Sequence, residues 1–165
     1  MKSVPGSLCD YGGFLRTKIV DERAMLAFGK SVARVLIPRL VITLSGDLGV
    51  GKTTLARGVL QGLGFGGIVK SPTYAMLEPY QLDLGAVYHF DLFRVSDPEE
   101  LEFLGYRDCL RDAYLCLVEW PERSDGYLSK IDLELSIISE GDTRIVTIRS
   151  HTPAGKITNE HLQNI

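Results

Sequence analysis

The chain has 165 residues, of which 45% are hydrophobic and 24% charged, and its formal net charge at pH 7 is −3. This composition is typical of soluble globular proteins, no apolar run approaches the ~20 residues of a membrane-spanning helix, and the first residues lack the apolar segment of a signal peptide. Lysine and arginine form no dense run, which disfavours tight direct binding of nucleic acid. We expect a cytoplasmic protein without membrane association, in which residues 1–165 form one domain.

The first predicted elements are a tail and a helix. Residues 1–13 are expected to form a loose tail or an edge strand. From Asp21 to Pro38, apolar residues recur every three or four positions, which predicts an amphipathic helix that the proline ends. Asp21 suits the N-cap position, because its carboxylate accepts from the free N–H groups of the first turn.

The next stretch carries the most informative single motif in the chain. Residues 46–53 read G-x-x-x-x-G-K-T and directly follow the apolar run 40–44, which predicts a strand, a glycine-rich loop and a helix. The backbone N–H groups and helix dipole of such a loop favour the phosphates of a nucleotide. Lys52 is expected to reach the β- and γ-phosphates, and the Thr53 hydroxyl to ligate Mg²⁺. The residues predicted to contact the nucleotide here are Gly46, Asp47, Leu48, Gly49, Val50, Gly51, Lys52, Thr53 and Thr54.

A segment suited to a switch follows the predicted helix. Thr73 comes after a proline at the end of a glycine-rich stretch, where a mobile loop could sense the γ-phosphate or its metal. The alternative is that residues 71–73 form only a turn. The apolar stretches 76–82 and 87–93 then predict a β-hairpin. Residues 96–105 predict a helix, and residues 107–112 predict a second short helical piece.

Two acidic residues stand at the ends of predicted strands, where hydrolysis of a nucleotide needs a carboxylate for Mg²⁺ and a group that orients water. Glu119 ends a continuous apolar run, typical of a central strand buried on both faces, and is assigned to Mg²⁺. Asp91 ends a more edge-like strand and is assigned to the water, although the two roles could be exchanged. Asp91 could also cap a helix or pair with Arg94. His89 is interpreted as structural, and Trp120 as core or pocket wall.

The last third of the chain predicts further strands. Residues 132–137 alternate between apolar and polar and residues 144–149 return, which predicts an antiparallel hairpin with one face in water. The polar residues 152–165 are expected to form a loose tail. The predicted fold class is α/β: a three-layer P-loop NTPase-like domain with a mostly parallel central sheet and antiparallel additions, including this C-terminal hairpin.

Five segments together resemble the TsaE family, formerly called YjeE. They read GDLGVGKTT at 46–54, KSPTY at 70–74, HFDLFR at 89–94, DPEELE at 97–102 and VEWPE at 118–122. The first segment is shared by many nucleotide-binding families, whereas the combination, in this order and spacing, is specific to this one.

The resemblance implies the ATPase of bacterial tRNA threonylcarbamoyladenosine (t6A) synthesis, a cytoplasmic protein that binds ATP and Mg²⁺. In that family the ATPase joins the TsaB–TsaD complex, and TsaD transfers the threonylcarbamoyl group, so this chain would contact tRNA only indirectly. The resemblance also implies that Asp21, Glu122 and Arg144 help to hold the nucleotide. Hydrolysis by the isolated chain is expected to be slow until a partner accelerates it.

Three other functions are compatible with a phosphate-binding loop. In a small-molecule kinase, Arg107 and Arg111 could clamp a phosphate from a helical lid, although the interleaved Asp108 and Asp112 favour a solvated helix face. A GTPase is disfavoured because the chain has no Asn-Lys-x-Asp motif. A binding module without catalysis is disfavoured by the intact Lys52, Thr53 and Glu119.

Overall fold

The computed structural model describes residues 7–8 and 14–165. In these ranges, one mixed sheet of eight strands is accompanied by five α-helices and a short 3-10 helix at Pro121–Ser124. The strands are β1 (Ser7–Leu8), β2 (Phe14–Ile19), β3 (Leu40–Ser45), β4 (Leu77–Leu82), β5 (Gly85–Asp91), β6 (Ala113–Glu119), β7 (Leu133–Glu140) and β8 (Thr143–Ser150). The helices are α1 (Glu22–Val35), α2 (Lys52–Gly62), α3 (Glu100–Phe103), α4 (Tyr106–Asp112) and α5 (Pro153–Gln163).

The sheet combines a parallel centre with antiparallel flanks. Its order is β1-β2-β8-β7-β3-β6-β5-β4. The four neighbours β7, β3, β6 and β5 are parallel, whereas β8 pairs antiparallel with β7 and β2, β1 pairs antiparallel with β2, and β4 pairs antiparallel with β5. The carboxyl ends of the four central strands therefore meet at one edge of the sheet, where open α/β sheets bind ligands.

Helices cover both faces of the sheet and complete the three predicted layers. Helices α1, α2 and α5 pack with one hydrophobic cluster, and α3 and α4 with the other. Strand β6 contributes to both, because Leu115 and Leu117 belong to the first cluster, and Cys116 and Val118 to the second. Burial on both faces explains why β6 is apolar without alternation.

Helix α1 begins as the sequence predicts. The Asp21 carboxylate accepts from the backbone N–H of Ala24 at 2.7 Å, so Asp21 is the N-cap. The helix packs closely against α2 because a Cβ at Gly29 would lie only 2.9 Å from the Cα of Gly58. This approach requires glycine and holds α1 beside the helix that begins at the glycine-rich loop.

The predicted hairpins form, and two local expectations are corrected. Strands β4 and β5, and β7 and β8, pair as the two antiparallel hairpins. Strand β5 is interior to the sheet rather than edge-like, since it also pairs with β6. The predicted helix at 96–105 is shorter than expected and forms only α3. The short helix predicted at 107–112 is confirmed as α4, which follows Gly105, a residue in a left-handed conformation with φ of 71°.

The prediction that residues 152–165 form a loose tail is wrong for most of this segment. Residues Pro153–Gln163 form α5, and the Thr152 hydroxyl caps it by accepting from the backbone N–H of Gly155 at 3.1 Å. Leu162 is buried against the first hydrophobic cluster although the helix is mostly polar. Of the other predicted tail, only residues 7–8 are described, as a strand antiparallel to β2, and the rest of 1–13 lies outside the described residues.

Within the described ranges, every helix is too short or too polar to cross a bilayer.

Candidate functional site

The glycine-rich loop between β3 and α2 takes a conformation that its glycines permit. Gly46, Gly49 and Gly51 have φ angles of 140°, 75° and 114°, a region that favours glycine. At Gly46 a Cβ would also collide with the backbone carbonyl of Ile137. No side chain caps the first turn of α2, and the first N–H groups of a helix have no partner within it. The loop thus presents a concave, positively polarised surface suited to an anion.

A cavity of about 230 Å³ opens beside this loop at the carboxyl ends of β3, β6 and β5. Most of its lining comes from the loop, the start of α2 and the two predicted acidic positions. The lining residues are Leu48, Gly49, Gly51, Lys52, Thr53, Thr54, Thr73, Asp91, Phe93, Glu119 and Trp120. The structure therefore brings together residues that are up to 72 positions apart in the sequence, Leu48 and Trp120 being the extremes.

Lys52 is only 4% exposed, and its ammonium lies against the loop. The Nζ atom donates to the backbone carbonyl of Gly46 at 2.6 Å and to that of Asp47 at 2.8 Å. It also lies 3.9 Å from the ring centroid of Trp120, a cation–π contact. Burial lowers the pKa of Lys52, and nearby carboxylates, chiefly Glu119, oppose this shift.

Glu119 is 2% exposed and reaches the start of α2 from the end of β6. The Thr53 hydroxyl donates to Oε1 of Glu119 at 2.9 Å and lies 3.2 Å from Oε2. The Nε2 atom of His89 lies 2.9 Å from the same Oε1. A carboxylate and a threonine hydroxyl therefore meet at the floor of the cavity, as the sequence predicts for Thr53 and Glu119.

Asp91 lies beside Glu119, since the two residues are register partners of the parallel pair β5 and β6. Its Oδ1 accepts from the backbone N–H of Phe93 at 2.9 Å, and its Oδ2 from the Thr73 hydroxyl at 3.1 Å. The Arg94 guanidinium, the alternative partner of Asp91, instead lies 4.2 Å from the ring centroid of Tyr74. Through its contact with Asp91, Thr73 of the Ser-Pro-Thr segment (residues 71–73) lies at the cavity.

The donor atoms at this edge of the sheet fit a hard cation. The described residues contain no group of three or more His, Cys, Asp and Glu side chains that could hold a metal ion unaided. Mg²⁺ commonly binds through only one or two carboxylates, with phosphate oxygens and water completing its octahedron. The hydroxyl of Thr53 and the carboxylates of Glu119 and Asp91 are oxygen donors of that kind, next to a loop that favours phosphate.

A second cavity of about 240 Å³ lies on the other side of the loop. Its lining residues are Asp21, Glu22, Met25, Gly49, Val50, Gly51, Thr54 and Arg144. Asp21 at the start of α1 and Arg144 on β8 thus lie together beside the loop, although they are far apart in the sequence. Glu122 lines neither cavity, and its carboxylate acts on Lys52 only electrostatically.

Trp120 lines the first cavity, in agreement with its interpretation as pocket wall, but two features at or near this cavity were not predicted from the sequence. Trp120 adopts a left-handed backbone with φ of 57°, uncommon for a bulky residue, and its ring packs on Phe93 with centroids 4.9 Å apart. His89, interpreted as structural, contacts Glu119 directly. The available signal was spacing, because His89 stands two residues before Asp91 and strand side chains alternate, so both face the same side of the sheet.

Arg107 and Arg111, the two arginines of the kinase alternative, form ion pairs with neighbouring acidic residues. Arg107 pairs with Glu102 at 2.8 Å, and Arg111 pairs with Asp108 at 2.9 Å and with Asp112 at 3.4 Å. Neither arginine lines either cavity. This arrangement agrees with the interpretation of α4 as a solvated helix face.

Comparison with known proteins gives a consistent result. The family model described as threonylcarbamoyl adenosine biosynthesis protein TsaE matches residues 19–146. A tRNA threonylcarbamoyladenosine biosynthesis protein TsaE from Haemophilus influenzae is 46% identical over 143 residues, covering 84% of this chain and 90% of that protein. The protein of the same name from Bacillus subtilis is 36% identical over 128 residues, covering 78% and 80%. The crystal structure of Bacillus subtilis YdiB superposes with a TM-score of 0.79 at 28% identity, covering 92% of this chain and 95% of that one.

Proposed function

The chain belongs to the TsaE family, and from this premise we propose that it is the ATP-binding and ATP-hydrolysing subunit of tRNA t6A modification. The proposal rests on one observation: Lys52, Thr53 and Glu119 all line the same cavity beside the glycine-rich loop. A nucleotide site needs the lysine for phosphate charge and the other two for a metal ion. The names of the relatives support a role in this pathway, and the residues that line the cavity support the proposed chemistry.

The loop and Lys52 would bind the phosphates. The N–H groups at the start of α2 would face the phosphates, and the Lys52 ammonium already contacts the loop through two backbone carbonyls. The partly desolvated ammonium interacts strongly with phosphate, since water screens it less than at an exposed site. The second cavity, with Asp21 and Arg144, would hold the nucleoside part of ATP.

Thr53 and Glu119 would hold Mg²⁺, and Asp91 would orient the attacking water. When bound, Mg²⁺ supplies positive charge that neutralises phosphate oxygens as the bond to the γ-phosphate breaks. The Thr53 hydroxyl already contacts Glu119. Asp91 lies one strand away and can accept a hydrogen bond from a water in the same cavity, while Thr73, bonded to Asp91, could report the γ-phosphate to the adjoining segment.

The partners we propose are the TsaB and TsaD homologues of the same cell. Among the described residues, the lining of the first cavity includes no arginine, and in many phosphate-transferring enzymes a partner supplies an arginine that accelerates hydrolysis. We therefore expect slow turnover alone and faster turnover in the complex. With a net charge of −3, the chain is expected to leave direct contact with tRNA to its partners.

The direct test is reconstitution. The chain should co-purify with TsaB and TsaD, and t6A formation on tRNA should require it together with ATP and Mg²⁺. Equal t6A formation without this chain would contradict the proposal.

A phosphate-release assay separates the proposal from a small-molecule kinase. We expect ATP hydrolysis without any acceptor, and no acceleration by a panel of nucleosides and metabolites. Rapid phosphate transfer to one of these small molecules would replace the ATPase proposal by the kinase alternative.

A further inference from the structure

We propose that His89 is a positioning residue that fixes the Glu119 carboxylate for Mg²⁺, a role that rests on the proposed function and extends it. The Nε2 atom of His89 lies 2.9 Å from Oε1 of Glu119, and both side chains are almost completely buried. His89 is completely buried and does not line the cavity. It would therefore act through Glu119 and not on the nucleotide.

The arrangement of the strands explains how His89 reaches Glu119. His89 is in β5 and Glu119 ends the neighbouring β6, with Leu117 as the register partner of His89. Side chains two residues apart on a strand share a face, so His89 and Asp91 both lie on the face that α2 covers. The Glu119 carboxylate therefore has one partner on β5, the His89 imidazole, and one in the first turn of α2, the Thr53 hydroxyl.

The surroundings of the imidazole assign its proton. Among the described residues, the buried Nδ1 atom of His89 has no hydrogen-bond partner. A proton on Nδ1 would be a buried donor without an acceptor, which is more costly than an unused acceptor lone pair. We therefore assign Nε2 as the ring nitrogen that carries a proton and donates a hydrogen bond to Glu119.

A hydrogen-bond donor behind a metal-binding carboxylate restricts the orientation of that carboxylate. The contact with His89 restrains rotation of the Glu119 carboxylate away from Thr53, which keeps its oxygens placed for Mg²⁺. Partners behind a metal ligand of this kind commonly change metal affinity by about 10–100-fold when they are removed.

Two substitutions separate the hydrogen bond from the volume of the side chain. His89→Leu removes the donor and keeps an apolar side chain of similar size. His89→Gln places an amide N–H close to the position of Nε2 and restores the donor. His89→Asn serves as the matched control, because its shorter amide reaches only the Nδ1 position.

The measurement is ADP affinity by calorimetry, in EDTA and in saturating Mg²⁺, with urea unfolding as the check of folding. We expect His89→Leu to bind ADP in EDTA as tightly as the wild type does. In saturating Mg²⁺, the variant should bind ADP about 10–100-fold more weakly than the wild type, because it loses most of the increase in affinity that Mg²⁺ gives. His89→Gln should restore that gain, and His89→Asn should not. The electron paramagnetic resonance spectrum of Mn²⁺ with ADP should change for His89→Leu and return for His89→Gln.

The outcomes distinguish this inference from the function beneath it. If the wild type binds no ADP, or if Mg²⁺ does not increase its ADP affinity, both the proposed function and the role of His89 are contradicted. If the wild-type gain is present and folded His89→Leu keeps it, only the role of His89 is overturned. Where His89→Leu fails to fold, a folded His89→Gln variant without the Mg²⁺ gain overturns that role equally.

Discussion

Two buried carboxylates at opposite ends of the parallel strands have different surroundings. Glu119 ends β6 and is 2% exposed, whereas Asp132 immediately precedes β7 and is 0% exposed. Asp132 accepts from the backbone N–H of Val41 at 2.8 Å and from the Thr152 hydroxyl at 2.6 Å, and lies 3.1 Å from the Lys130 ammonium. It joins β3, the start of β7 and the N-cap of α5.

Burial and hydrogen bonding alone therefore do not identify a functional carboxylate. Both groups are buried and both have partners, but those of Asp132 include a backbone N–H and link segments of the chain, and Asp132 lines neither cavity. Glu119 shares its cavity with Lys52 and Thr53 and with a loop that favours anions. The difference predicts that one end of the sheet governs turnover and the other governs stability.

The largest effect on turnover is expected for Lys52→Ala. Loss of a positioned charge at a reacting group lowers turnover by about 10²–10³-fold, and nucleotide binding should also weaken. Stability should change little, because the buried ammonium is itself costly to desolvate. Steady-state ATP hydrolysis and urea unfolding of the same preparation measure the two effects. Unchanged turnover would refute the assignment of the phosphate site.

The converse pattern is expected for Asp132→Ala. This change leaves the N–H of Val41 buried without its acceptor, and the expected loss of folding free energy is about 3 kcal/mol. Nucleotide affinity, measured at a temperature where the variant is folded, should match the wild type. A selective loss of nucleotide affinity with normal unfolding would break the contrast between the two ends of the sheet.

Glu119→Gln and Asp91→Asn test the division of labour within the site. We expect Glu119→Gln to raise the Mg²⁺ concentration needed for half-maximal ATP hydrolysis by about 10–100-fold. Asp91→Asn should lower the maximal rate while leaving that concentration near the wild-type value. The opposite pair of results would exchange the roles of the two residues.

The smallest effect is expected for Arg144→Ala in the second cavity. Loss of one partly exposed contact should weaken nucleotide binding about fivefold, roughly 1 kcal/mol, with an unchanged Mg²⁺ requirement. Arg149→Ala is the matched control, because Arg149 is on the same strand but lies over the ring of Phe14 and lines neither cavity. Equal loss in both variants would indicate a general effect of charge on β8.

Local chemistry was sufficient for part of the fold. The conformation of the glycine-rich loop was predictable because residues 46–53 favour it through glycine and its positive φ angles. The strand ending at Glu119 was predictable because a strand buried on both faces must be apolar throughout. The helix α5 was not predictable from its polar composition, since it is held by the Thr152 cap and by burial of Leu162.

By itself, the sequence determined the glycine-rich loop, the Asp21 cap, the two hairpins and the candidate residues Lys52, Thr53 and Glu119. Only the tertiary structure decided strand order and register, which make Asp91 the neighbour of Glu119 and bring Arg144 to the same loop as Asp21. It also decided that His89 contacts Glu119. The physical reason is range: turn, cap and periodicity depend on residues a few positions apart, whereas a binding site depends on which distant strands pair.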